Sequence, residues 1–263
     1  MTRRLVVEGL GARIGLEMQE GQYGDAADAA LWAQIRHAWS RATVSHDGDD
    51  PALRWVRLRL GQSSSDVVTS DAAETLMPRL TQEVTHAVID ARIGQLLLLH
   101  AGGVSNPRTG DSLVFVAPGG TGKSTLTRTL AHRYGYLTDE TVGVDPGGRI
   151  HPYQKPLSTR PAVPGPKLEL SPDALGLVRP GATPTLRHLV LLDRRQGVDF
   201  QVERLNTIEA IRAMVHETSS LSQLPSALHV IAGLLEATGG AERWTYSEHT
   251  TLLGAAESWL GTP

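Results

Sequence analysis

Residues 117–125 read APGGTGKST, and no other stretch limits the fold as tightly. Glycines at 119, 120 and 122 let the backbone turn with its N–H groups pointing inward. The stretch lies between an apolar strand candidate, SLVFVA, and an amphipathic helix candidate, KSTLTRTLAHRYG. In that helix Leu126, Leu130 and Ala131 share one face, and Gly135 is expected to close it in the left-handed conformation. Strand, glycine-rich turn and helix start are the context that a phosphate-binding P-loop of the Walker A kind requires. The spacing fits: Ala117, then Pro118-Gly119-Gly120-Thr121, then Gly122-Lys123-Ser124. The binding residues expected are Gly119, Gly120, Thr121, Gly122, Lys123, Ser124 and Thr125. Their backbone donors and the positive end of the helix meet triphosphate oxygens. Lys123 adds a point charge near the β- and γ-phosphates, and Ser124 offers a hydroxyl to Mg²⁺. ATP and Mg²⁺ are the cofactors implied, with no base-reading motif to separate ATP from GTP.

The rest of the composition narrows the partners. A net charge of −3 with interspersed signs gives no footprint for nucleic acid or an anionic membrane. Scattered tryptophans suit packing better than a base-stacking platform. The lack of cysteine excludes disulfides, thiolate metal sites and cysteine nucleophiles, and the histidines show no ligand spacing. No apolar run approaches the roughly 18 residues that span a bilayer, and the start MTRRLVVEG is too polar for a signal peptide. A cytoplasmic protein is expected, and the composition is compatible with a homo-oligomer.

Along the chain, residues 1–94 form an N-terminal α/β segment, expected to pack on a P-loop domain at 95–263. RLVVEGLGARIGLEM predicts one or two short strands, and DAADAALWAQIRHAW a helix with Ala30, Leu31, Ile35 and Ala38 near one face. SHDGDDP lacks the ligand spacing of a calcium loop and is read as a turn before the strand LRWVRLRL. After Pro78, the recurrence of Leu80, Val84, Ala87, Val88 and Ala91 predicts a second helix. QLLLLHAGGVS, SLVFVA, YLTDE, LRHLVLLD and RWTYS are strands, and TVGVDPGGRIHPY is a hairpin. A Pro-rich loop, KPLSTRPAVPGPK, precedes helices in TIEAIRAMVHE, capped by Asn206 with Glu209, in PSALHVIAGLLEATGG and in TTLLGAAESWL.

Two acids compete to complete the phosphate site. Asp193, at the end of LVLLD, suits an ATPase, although the Arg-Arg-Gln-Gly that follows also marks an ordinary strand end. Asp139-Glu140, just beyond the loop's own helix, offers one carboxylate for metal and one for proton transfer. Lys155 and Arg160 in the Pro-rich loop are cations suited to the phosphoryl group or the acceptor, or simply to water.

Taken in order, LLLLHAGGV, LVFVAPGGTGKSTLTRTL and YGYLTDETV resemble the catalytic core of the HPr kinase/phosphorylase family and its smaller relatives. That nucleotide-binding fold is shared with phosphoenolpyruvate carboxykinase, and the resemblance is strongest over residues 95–160. It implies an α/β fold, a P-loop-containing mixed β-sheet with flanking helices. It also implies that Asp139 takes the proton of the acceptor hydroxyl, that Glu140 joins Ser124 at the metal where a second aspartate is usual, and that His100 lies near the transferred phosphate. With Lys123, Asp139 and His100 form the implied catalytic set. The downstream glutamate-containing, glycine-rich signature of the bacterial enzymes is not found in KLELSPDALGLV or beyond. The activity implied is transfer of the γ-phosphate to a hydroxyl, on Ser or Thr of a peptide or protein, or on a small-molecule alcohol. The rival readings are an ATPase and a nucleotide-dependent switch or binding module.

Overall fold

The computed structural model describes residues 2–46, 53–62, 65–159 and 167–263. They gather into two compact units, Met1–Ala91 with Gln154–Leu175, and Arg92–Tyr153 with Gly176–Pro263. Residues 154–175, assigned by sequence to the second domain, thus belong with the first unit. Long-range polar contacts explain this: Thr81 donates to Glu169 at 2.9 Å, the hydroxyls of Ser40 and Ser171 share a 2.9 Å bond, and Arg41 binds the Asp173 carboxylate.

In the first unit β1 (Arg3–Gly9) and β2 (Ala12–Met18) form a hairpin. Its two turn residues, Leu10 at φ 53° and Gly11 at φ 72°, take the left-handed pair that a two-residue connection needs. Helix α1 (Asp25–Ala38) buries Leu31, Ile35 and Ala38 as the spacing predicts. Ala30 is exposed instead, and Asp28 takes the fourth place on the buried face, where its carboxylate accepts the Gly21 N–H at 2.9 Å. Three residues separate Asp28 from Leu31, so helical geometry puts it on that face whatever its polarity. Strands β3 (Thr43–Val44), β4 (Arg54–Leu60) and β5 (Val68–Ser70) complete a sheet of order β3-β1-β2-β4-β5. Residues 47–51 of the expected turn lie outside the described residues. Helix α2 (Ala73–Asp90) starts upstream of Pro78, not after it. A proline this near the start removes a single backbone bond, and Leu76 and Met77 extend the stripe buried by Leu80, Val84, Ala87 and Val88.

The second unit opens with β6 (Leu97–Ser105), the apolar run, paired antiparallel to β7 (Asp111–Val116). Helix α3 (Lys123–Leu130), β8 (Gly135–Thr138), β9 (Thr141–Val144) and β10 (Ile150–His151) follow. Gly135 does not close α3: the helix ends before Ala131, and Gly135 opens β8 without a positive φ. A Cβ there would sit 2.8 Å from Pro180 Cα, so the glycine serves a close backbone approach. The ends of the Pro-rich stretch pair as β11 (Leu157–Thr159) and β12 (Leu168–Leu170) in the first unit, while Arg160 lies outside the described residues.

The chain then returns to the second unit with β13 (Thr185–Arg194) and β14 (Gln201–Leu205). Helix α4 (Thr207–Val215), β15 (Thr218–Ser219), α5 (Ala227–Ala237), β16 (Ala241–Tyr246) and α6 (Leu253–Leu260) complete it. Nine strands make one mixed sheet in the order β10-β9-β6-β7-β13-β16-β14, with β8 and β15 also paired to β6. Strands β7, β13 and β16 run parallel, so Val116, Arg194 and Tyr246 end on the same side of the sheet. The architecture is therefore mixed α/β, with six α-helices among the described residues. No helix among them is long and apolar enough to cross a membrane.

Candidate functional site

The glycine-rich stretch occupies the turn from the carboxyl end of β7 to the start of α3. Gly120 at φ 82° and Gly122 at φ 103° adopt left-handed backbone that side-chain-bearing residues rarely take. No atom lies within 4 Å of where a Cβ would stand on Gly119 or Gly120, so the approach to their backbone is open. Gly119 and Gly120 form a turn that aims the Thr121 N–H back at Pro118, and among the described residues no protein acceptor meets the backbone N–H groups of Gly119, Gly120 or residues 122–125. Inside the turn, the Thr121 hydroxyl donates to the Pro118 carbonyl at 2.9 Å, and the Tyr246 hydroxyl donates to the Thr121 carbonyl. Helix α3 comes down directly on β6: a Cβ on Gly102 would lie 2.2 Å from Thr127 Oγ1.

Lys123 is buried, with its ammonium folded back onto the carbonyls of Ala117 and, at 3.0 Å, Pro118. Burial lowers its pKa to about 8, against the opposing pull of the Glu217, Asp139 and Glu140 carboxylates. Ser124 follows in the first turn of α3, and its hydroxyl reaches the Asp139 carbonyl at a long 3.5 Å. The start of α3 thus abuts the turn between β8 and β9, which carries Asp139 and Glu140.

Thr138 closes that turn, its hydroxyl oxygen accepting the N–H groups of Glu140 at 3.3 Å and Thr141 at 3.4 Å. Asp139 is therefore not needed to cap it. Its buried carboxylate accepts from the Tyr136 hydroxyl at 3.1 Å, and burial with the adjacent Asp139 charge raises the Tyr136 pKa well above the usual phenol value. Strand β6 supplies the neighbouring wall. The Ala101 N–H donates to the Glu140 carbonyl at 3.0 Å and the His100 N–H to the Glu217 carbonyl at 2.7 Å, which brings the backbones of both acidic residues against this end of β6. Partial burial and then the Lys123 charge hold the His100 imidazole below its ordinary pKa, with Glu217 and Glu140 acting in the opposite sense.

The structure thus brings Lys123, Ser124, Asp139, Glu140 and His100 together. Asp193 is tied instead to Arg195, with 2.7 Å between carboxylate and guanidinium. Lys155 belongs to the first unit, buried, with its ammonium donating to the Pro156 carbonyl at 3.2 Å. Glu217 and Tyr246 also belong to the site, and no local motif marks either one. Glu217 arrives because β15 pairs with Leu98 and Leu99, and Tyr246 because β16 ends beside the loop.

No protein-family model matches the chain, and no curated protein matches it.

Proposed function

We propose that this chain is a kinase of the HPr kinase-like kind, which transfers the γ-phosphate of ATP to a hydroxyl acceptor, on Ser or Thr of a peptide or protein. The observation that carries the reading is the meeting of the open, glycine-rich start of α3 with the Asp139–Glu140 turn, through Ser124 and the Asp139 carbonyl. A polyanion fits this place. The backbone donors of Gly119, Gly120 and residues 122–125 have no acceptor among the described residues, and no neighbouring atom crowds the space over Gly119 and Gly120. No cluster of three or more His, Asp or Glu forms a metal cage among the described residues. Mg²⁺ suits such a place, since it binds through phosphates and one or two protein oxygens, here those of Ser124 and Glu140.

Bound Mg²⁺·ATP supplies the phosphoryl group and the metal's neutralising charge. Gly119 to Thr125 hold phosphate oxygens with their N–H groups. Lys123, which keeps its charge near pH 7 with its pKa lowered to about 8, would exchange its two carbonyl partners for phosphate oxygens that favour the charged form. Asp139, oriented by Tyr136, accepts the proton of the acceptor hydroxyl and makes it a better nucleophile. His100 lies beside Lys123 and Glu140, and burial and the Lys123 charge lower its pKa.

Incubation with γ-labelled ATP and a panel of serine and threonine peptides and simple alcohols tests the assignment. Label should pass to an acceptor, with little phosphate released in its absence. Equally fast release without acceptor would make the protein an ATPase, and neither transfer nor release would leave a binding module.

A further inference from the structure

Tyr246 stands at the carboxyl end of β16, with β13 between that strand and β7, the strand that leads into the glycine-rich turn. Its side chain is fully buried and its hydroxyl donates to the Thr121 carbonyl. We propose that Tyr246 is a positioning residue of the phosphate loop, setting the orientation of the Thr121–Gly122 peptide and so the direction in which the Gly122 N–H points. The proposal rests on the reading of that loop as a phosphate cradle.

Peptide geometry supplies the argument. In a trans peptide the C=O and the following N–H point in opposite directions, so a carbonyl drawn toward Tyr246 turns the Gly122 N–H away from it. There, among the described residues, no acceptor meets that N–H. Among the described residues, no other donor meets the Thr121 carbonyl. Gly122 at φ 103° has the backbone freedom to let the peptide rotate, and the Thr121 side chain is engaged with Pro118 instead. Gly122 and the phenol are also matched sterically, since a Cβ on residue 122 would stand 3.2 Å from Tyr246 Oη.

The clamp is itself braced. The Arg195 N–H donates to the Tyr246 carbonyl at 2.8 Å, Arg194 Nε to the Ser247 carbonyl at 3.0 Å, and the Gly197 N–H to the Ser247 hydroxyl at 3.2 Å. The Asp193–Arg195 pair lies in this same brace, which gives Asp193 a structural place at the strand end. Burial raises the Tyr246 pKa, so the phenol keeps the proton it donates.

Tyr246→Phe removes the hydroxyl alone, and the nucleotide-free full-length protein shows the result by NMR. The Thr121 carbonyl ¹³C signal should shift, and the Gly120 and Gly122 amides should gain microsecond-to-millisecond exchange broadening that Ala241–Trp244 do not share. Biosynthetic 3-fluorotyrosine, a stronger donor with no effect on chain packing comparable to a truncation, should move the Thr121 carbonyl signal in the opposite direction. Calorimetric affinity for Mg·ADP should fall about three- to tenfold in the phenylalanine variant. Unchanged loop signals in both the variant and the fluorinated protein would overturn the clamp. A responding Thr121 signal in a wild-type protein that binds no Mg·ADP would instead leave the clamp standing and defeat the phosphate-cradle reading.

Discussion

Helix α4 begins with Asn206, whose side chain accepts the Glu209 N–H at 3.0 Å while Glu209 accepts the Asn206 N–H at 3.1 Å. Helix α3, of similar length in the same unit, begins after Gly122, which has no side chain to offer. The first start is closed by its own sequence, and two of its orphan donors are satisfied within four residues. The second is held from outside, by the close approach of Thr127 to Gly102 and by Tyr246 on the Thr121 carbonyl, and the N–H groups of residues 122–125 meet no acceptor among the described residues. A capped start stabilises a helix. An uncapped start that the tertiary structure nonetheless holds in place can give the same donors to an anion.

The largest effect separating the two starts should come from Asp139→Asn, which keeps the shape of the turn beside α3 and removes the carboxylate proposed as the base. Single-turnover label transfer should slow by about 10²- to 10⁴-fold with little change in nucleotide affinity. Transfer at the wild-type rate would leave the open start with no chemistry attached to it. Next in size, Lys123→Ala should weaken nucleotide binding by roughly ten- to a hundredfold, equivalent to about 1.5–3 kcal/mol, as read by calorimetry.

The same lysine predicts a pH dependence. Its folded pKa of about 8 lies below that of an unfolded lysine, near 10.4, so the unfolded chain binds the proton more tightly. Relative to Lys123→Met, wild-type stability should therefore rise from about pH 8 to about pH 10.4 and stay level below. The slope cannot exceed about 1.4 kcal/mol per pH unit. Denaturant melts of the two proteins across that window give the measurement, and parallel curves would mean that Lys123 is not desolvated. The smallest effect belongs to the closed start. Asn206→Ala should cost about 1 kcal/mol of unfolding free energy and Asn206→Gly only a few tenths, with nucleotide affinity unchanged in both.

The same contrast explains how much was legible beforehand. The loop, the helix that follows it and the Asp139–Glu140 turn are contiguous, so spacing alone brings Ser124 to Asp139. The α4 cap is equally local. Glu217 and Tyr246 are not: each reaches the site through strand pairing, and nothing in VHETSS or RWTYS advertises it. Strand β14 leaves little trace in the sequence because only Leu205 of its five residues is buried, so QVERL carries no clear apolar face. Residues 154–175 join the first unit through single side-chain contacts such as Thr81–Glu169, which leave no periodic trace.

The pairing of β6 with four partners, β7, β8, β9 and β15, also dictates an order of events during synthesis. A nascent chain has its complete loop, α3 and the Asp139–Glu140 turn once residue 140 has left the ribosome. His100 gains the neighbour that fixes it only with the arrival of Glu217, and the Thr121 carbonyl waits longer still, for Tyr246. Because chains fold from the amino end as they emerge, the motif precedes Tyr246, which holds it, by roughly a hundred residues of translation. A ribosome-bound or truncated chain ending before Glu217 would carry the whole signature without Glu217 or Tyr246 beside it.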